Sequence, residues 1–111
     1  MNEKTLLSTI LSNAAAADYA IKKLSASDFQ NKNCGNIFSA ILDAKYKKLT
    51  PDIPAVMQIL NERKARQETT DTLLDITTIA STINYTTITD NIKRDAERRR
   101  AIQELRYHAE L

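Results

Sequence analysis

Glycine occurs once in this chain, proline twice, cysteine once and tryptophan not at all. So few turn-forming residues leave little to punctuate a meander of short strands, and no convincing strand pattern is present. The single cysteine, Cys34, excludes an internal disulfide and a zinc site assembled from thiolates. Next to core-facing helix positions it reads as packing rather than as a reactive thiol. No apolar run approaches the roughly 18–20 residues that a membrane helix needs. The N-terminus also lacks a basic segment ahead of an apolar stretch and a small-residue cleavage site. A soluble, cytoplasmic protein without a membrane partner is therefore expected.

The chemistry of an enzyme is missing in the same way. There is no GxxxxGK[ST] and no GxGxxG, so neither nucleotide binding nor any other cofactor is expected. His108 stands alone near the C-terminus and reads as exposed, without a nucleophile or carboxylate in its company. Tyr46, Tyr85 and Tyr107 are too scattered to build a base-stacking platform. Sixteen basic residues face fourteen acidic ones. That near balance removes the field of a dedicated nucleic-acid binder and makes a protein partner the better expectation. Basic residues still cluster at Lys45, Lys47 and Lys48 and again at Arg98, Arg99 and Arg100, where Asp95, Glu97 and Glu104 interrupt the run. The arginine run reads as a solvated or subunit-facing helix surface. Its alternative, with Arg94, Arg98, Arg99 and Arg100 on phosphates, describes a small helical DNA-binding module with at most weak direct contact.

What the chain does contain is helical periodicity almost throughout. Its 111 residues are expected to form one domain that buries roughly 60–65% of the unfolded surface. Leu6, Leu7, Ile10 and Leu11 mark one face of a short first helix over 5–12, with Glu3 near its positive end. Asn13 caps or breaks the chain. A second helix over 14–24 packs antiparallel to the first and offers Tyr19, Ala20, Ile21 and Leu24 to the core. Ser25 and Asp28 then form a capped turn that drops Phe29 inward. A third helix begins near 31–33 and carries Ile37, Phe38, Ile41 and Leu42. Gly35 lies inside it at a cost of about 1 kcal/mol relative to alanine. Either the first turn is irregular there or another backbone approaches closely.

After a Lys-rich turn, Asp52 caps a fourth helix with Pro54 in its first turn and Val56, Met57, Ile59 and Leu60 on its apolar face. Residues 63–70 read as an exposed loop, with Thr70 or Asp71 starting a fifth helix lined by Leu73, Leu74, Ile76, Ile79, Ala80 and Ile83. The chain bends near Asn84. From there to Leu111 a long charged helix carries Tyr85, Ile88, Ile92, Ala96, Ile102, Leu105 and Ala109, and its apolar face thins past Ala96. The expected fold is all-α: a compact orthogonal bundle of about five to six helices, core 4–92, with the helix of 84–111 projecting from it.

The order of these features resembles the N-terminal domain of DnaB-type replicative DNA helicases. The likeness rests on the Leu/Ile-rich first helix, the Leu24–Asp28–Phe29 turn, and the Ile-Phe-x-Ala-Ile-Leu helix from Ile37 to Leu42. It continues through the Asp52-capped helix and the long helix entered at Asn84, where Arg99 and Arg100 precede Ile102. Departures are Ser8 or Thr9 where the family has glycine, residues 67–70 where it has a Gly-rich loop, and a Tyr-rich helix start reduced to Tyr85. They mark a divergent member, of the kind carried by a phage, plasmid or other mobile element.

The resemblance implies a non-catalytic scaffold, since the family's ATPase domain is not within these residues. The chain would then be either a piece of a longer helicase, with the rest of that helicase as its partner, or a free-standing domain that modulates a host helicase or primase. It also implies self-association as a dimer or higher oligomer, and docking of primase or a helicase loader. Ile92, Ala96, Arg99, Arg100, Ile102 and Leu105 are the residues expected at the protein interface.

Overall fold

Three side-chain oxygens start three of the helices. Asn13 accepts from the amides of Ala15 (2.9 Å) and Ala16 (3.2 Å) ahead of α2, Ala14–Lys23. Asn31 does the same for Asn33 (2.9 Å) and Cys34 (3.1 Å) ahead of α3, Lys32–Tyr46. Asp52 accepts from Ala55 (3.0 Å) ahead of α4, Ile53–Glu62, with Pro54 in the first turn. Each such bond satisfies an amide the helix itself leaves unpaired. The computed structural model describes residues 2–110, and the side chains of 3–106. The remaining helices are α1, Asn2–Ile10, α5, Gln67–Ile76, and α6, Tyr85–Glu110, with a short 3₁₀ turn at Ala26–Asp28. There is no strand among the described residues.

α3 is the central element and packs against α1, α4, α5 and the 3₁₀ turn, while α6 lies across α1, α2 and that turn. The core gathers Leu6, Leu7 and Ile10 from α1, Ile37, Phe38 and Ile41 from α3, Val56, Ile59 and Leu60 from α4, and Leu73 and Ile76 from α5. Burying each of these side chains stabilises the fold by about 1.5–3 kcal/mol relative to leaving it in water. Phe29 and Phe38 stack at a tilt with ring centroids 4.9 Å apart, which fixes the 3₁₀ turn over α3.

Gly35 is where that turn comes closest. A Cβ built there would sit 2.8 Å from the carbonyl oxygen of Ala26, so close backbone approach explains the glycine. The first turn of α3 is itself regular, with the Gly35 amide bonded to the Asn31 carbonyl at 3.0 Å. Helix ends, where glycine is common, use lysine instead. Lys48 (φ 62°) and Lys64 (φ 54°) adopt the left-handed conformation just past α3 and α4. The following amides, Leu49 and Ala65, return to the carbonyls of Ala44 (2.9 Å) and Leu60 (3.0 Å).

α1 runs Asn2–Ile10 rather than over 5–12, and both boundaries of α5 differ from the sequence expectation. α5 begins at Gln67, not at Thr70 or Asp71, because Arg66 supplies the extended cap position and its carbonyl accepts from Thr69. α5 also ends at Ile76 rather than continuing to Ile83. The hydroxyls of Thr77 and Thr78 bond back to the carbonyls of Leu74 (2.6 Å) and Asp75 (2.7 Å). α1 then captures the chain beyond them: Ser8 donates to the Ile79 carbonyl, and Thr9 accepts from the Thr82 amide at 3.1 Å. Ala80 and Ile83 are consequently exposed rather than lining a core face, and Leu74, within α5, is exposed as well.

Candidate interaction surface on the long helix

α6 has a buried beginning and a bare end. Its 26 residues span about 39 Å. Ile92 and Ala96 are buried, so these two expected interface residues belong to the chain's own core in this structure. Between and beyond them, cations turn onto the domain. Lys93 Nζ lies 3.3 Å from Asp28 Oδ2, Arg100 donates to Asp28 Oδ1 at 2.5 Å, and Arg99 donates to the Asp28 carbonyl at 2.8 Å. Asp28 also accepts from the Ser25 amide at 2.8 Å and is 0% exposed. Burial pushes its carboxyl pKa up, but the Ser25 amide, Arg100 and Lys93 outweigh that and hold it below the usual carboxylate value.

Asp28 on the 3₁₀ turn thus pins the middle of α6 through three of its cations, Lys93 and Arg100 on its carboxylate and Arg99 on its backbone carbonyl. Lys93 and Arg100 are seven residues apart and so share a helix face. That spacing is visible in the sequence, but a partner some seventy residues away is not. Arg94 bonds to Asn91 at 2.7 Å on the outer surface, and Arg98 is exposed beside it. The four arginines are therefore divided: Arg99 and Arg100 turn onto the domain, and Arg94 and Arg98 face away.

Beyond Arg100 every described residue is exposed. Ile102 (44% exposed) and Leu105 (70%) remain in water three residues apart, hence neighbours on one face. The side chains of Tyr107, His108 and Ala109, and Leu111 entirely, lie outside the described residues.

A cleft of about 560 Å³ runs beneath α6, lined by Glu3, Gln30, Asn31, Ile92, Asp95 and Arg99 among others. Its chemistry is already committed. Glu3 accepts from the amides of Gln30 (2.7 Å) and Asn31 (3.1 Å), a contact between α1 and the start of α3 that the sequence did not signal. Cys34 lies against it as a buried thiol whose pKa burial, with Glu3 nearby, pushes up to about 11. Among the described residues no three of His, Cys, Asp and Glu gather as a metal site would require. On the other flank, Asp90 of α6 accepts from the Tyr19 hydroxyl (2.9 Å) and Lys23 (3.3 Å), with Lys23 4.7 Å above the Tyr19 ring.

No helix among the described residues is long and apolar enough to cross a membrane. No curated protein matches the sequence. Among solved structures the chain is similar to the crystal structure of the N-terminal domain of DnaB helicase from Mycobacterium tuberculosis, with a TM-score of 0.79 and 21% identity, over 92% of this chain and 76% of that one. That likeness establishes the fold. The family model described as the DnaB-like helicase N-terminal domain matches residues 1–104. With the order of elements from the Leu-rich α1 to the long α6, this match shows that the chain belongs to the family of N-terminal domains of DnaB-type replicative DNA helicases.

Proposed function

We propose that the chain works in DNA replication as a non-catalytic helical head, acting through protein contacts in the cytoplasm. It associates with further copies of itself along the outer part of α6, and the assembled heads offer the docking surface for primase or a helicase loader. The observation that carries this reading is the exposure of Ile102 and Leu105 on one face of a helix whose inner half already packs on the domain through Ile92 and Ala96. Two bare aliphatic side chains on a preformed helix are the kind of anchor a helix–helix contact buries. The engagement of Arg99 and Arg100 with Asp28 supports a protein partner over a nucleic acid, because it withdraws two of the four arginines from phosphate binding.

Sedimentation equilibrium tests it. The chain should associate with rising concentration, and Ile102→Asp or Leu105→Asp should shift it toward monomer without lowering its unfolding midpoint. A strict monomer that neither substitution changes would overturn the reading. DNA binding, measured in parallel, should be weak even at low salt and insensitive to charge reversal at Arg94 and Arg98.

A further inference from the structure

Two neighbouring helices end on the same residue type in the same unfavourable conformation. α3 and α4 are each closed by a left-handed lysine, Lys48 (φ 62°) and Lys64 (φ 54°), where glycine would sit without strain. The amides that follow, Leu49 and Ala65, bond back to the carbonyls of Ala44 and Leu60, so both lysines stand on fixed turns. The two helix ends also meet. Lys47 Nζ lies 3.9 Å from Glu62 of α4, and Arg63 reaches Asp43 (3.4 Å) and the Ser39 hydroxyl (3.1 Å) of α3.

Charge at this corner is unevenly matched. Lys45 pairs with Asp18 at 3.0 Å, Lys47 with Asp43 at 3.6 Å as well as with Glu62, and Arg63 with Asp43. Those three cations have an ordinary role, because positive side chains favour the carbonyl ends of helices. Lys48 and Lys64 are different: among the described residues neither enters an ion pair. Beside Lys48 stand Tyr46, 87% exposed, and Leu49, 46% exposed. Strained backbone, unpaired charge and bare apolar side chains thus coincide, and residues held against their backbone preference gather where a protein grips a ligand.

We propose that this corner is a docking site for an acidic peptide segment of another protein, whose carboxylates pair with Lys48 and Lys64 while an apolar side chain packs on Tyr46 and Leu49. The charges select this occupant. A patch with an excess of cations repels its own copy, so it cannot match itself across a two-fold axis. A continuous phosphate backbone would meet Asp43 and Glu62, which lie between the two turns, and one tyrosine gives a single stacking position where a strand-binding surface uses several. A peptide can place its acids opposite the two free lysines and its apolar anchor between them. The aliphatic stems of the lysines widen the apolar floor that receives it.

None of these residues belongs to α6, so this docking site and the Ile102 and Leu105 contact stand or fall separately. The test measures fluorescence anisotropy of a labelled peptide, Glu-Asp-Glu-Leu-Phe-Glu-Asp-Glu, titrated with the full chain at low salt. Saturable binding is expected that weakens as salt is raised, and an Ile102→Asp, Leu105→Asp chain should bind equally well. The deciding variant is Lys48→Gly, Lys64→Gly, which relieves the strain as it removes the charge. Its unfolding midpoint should rise while its affinity for the peptide falls about fivefold or more. Tyr46→Ser should weaken binding without lowering the midpoint, and a peptide with Gln and Asn in place of its acids should bind more weakly by a similar factor. No binding of the acidic peptide, equal binding by the double glycine variant, or equal binding of the neutral peptide overturns the proposal. So does an oligothymidylate that binds more tightly than the peptide and is lost with the same two lysines, since the occupant would then be a nucleic acid.

Discussion

Arg100 donates to the carboxylate of Asp28 across 72 positions of sequence, joining the last helix to the 3₁₀ turn that sits over the centre of the core. The pair is lopsided, because the Arg100 side chain is about half in water while Asp28 is fully buried. Removing the arginine strands a buried acceptor, whereas removing the aspartate leaves cations that water can reach. Arg100→Ala should therefore cost about 1–3 kcal/mol although its site is on the surface. Asp28→Asn should also destabilise the fold, since an amide NH₂ must then face the Ser25 amide, Lys93 or Arg100, all of them donors. Urea midpoints of both single variants and the double variant measure the coupling, and a double variant no worse than the better single one would show that the two side chains act as one unit.

The same carboxylate sets an acid limit. Its folded pKa lies below the unfolded value, so the stability it contributes is present above about pH 4 and is lost as pH falls through the folded pKa. Asp90 is shifted the same way: the Tyr19 hydroxyl lowers it most, desolvation opposes, and Lys23 adds to the lowering. Urea midpoints should decline on acidification below about pH 4, and Asp28→Asn should flatten that decline more than Asp90→Asn does. An unchanged slope in Asp28→Asn would place the acid sensitivity elsewhere.

The only glycine stands where alanine would ordinarily be better. Gly35→Ala gains about 1 kcal/mol of helix propensity, but its Cβ meets the Ala26 carbonyl at 2.8 Å. That oxygen belongs to backbone held down by Phe29 and Asp28, so it cannot move aside cheaply. A net loss of about 1–3 kcal/mol is expected. Lys48→Gly and Lys64→Gly should do the opposite and stabilise by about 0.5–1 kcal/mol, because both lysines occupy the left-handed region. Thermal unfolding of the three variants checks the ordering.

These positions also show which parts of the fold a sequence can carry. Asn13, Asn31 and Asp52 were legible as helix starts because each bonds to amides two or three residues onward. Gly35 was legible as an anomaly with a close backbone approach as one of its two explanations, but not which backbone, since its neighbour Ala26 lies in another element. The end of α5 was not legible because the Thr77 and Thr78 hydroxyls and the distant Ser8 and Thr9 decide it. On α6 the apolar spacing from Ile88 to Leu105 is continuous enough to read as one stripe. Only packing divides it into Ile92 and Ala96, buried where α6 crosses the domain, and Ile102 and Leu105, left in water. The Asp28 cluster escaped notice because three cations among sixteen basic residues carry no local mark of a common partner.

Cys34 supplies the last prediction, at the alkaline end. The thiol is buried on α3, and burial together with Glu3 raises its folded pKa to about 11, while an unfolded cysteine titrates near about 8.5. A raised folded pKa means that the thiol favours the native state below the unfolded value, and that this contribution is lost as pH climbs toward about 11. Stability should therefore fall between about pH 8.5 and 11, and Cys34→Ala should remove that part of the fall. For the same reason alkylation at neutral pH must wait for the core to open. Its rate should follow the unfolded fraction as urea is raised, and fast labelling of the native chain would mean that the cleft beneath α6 admits the reagent directly.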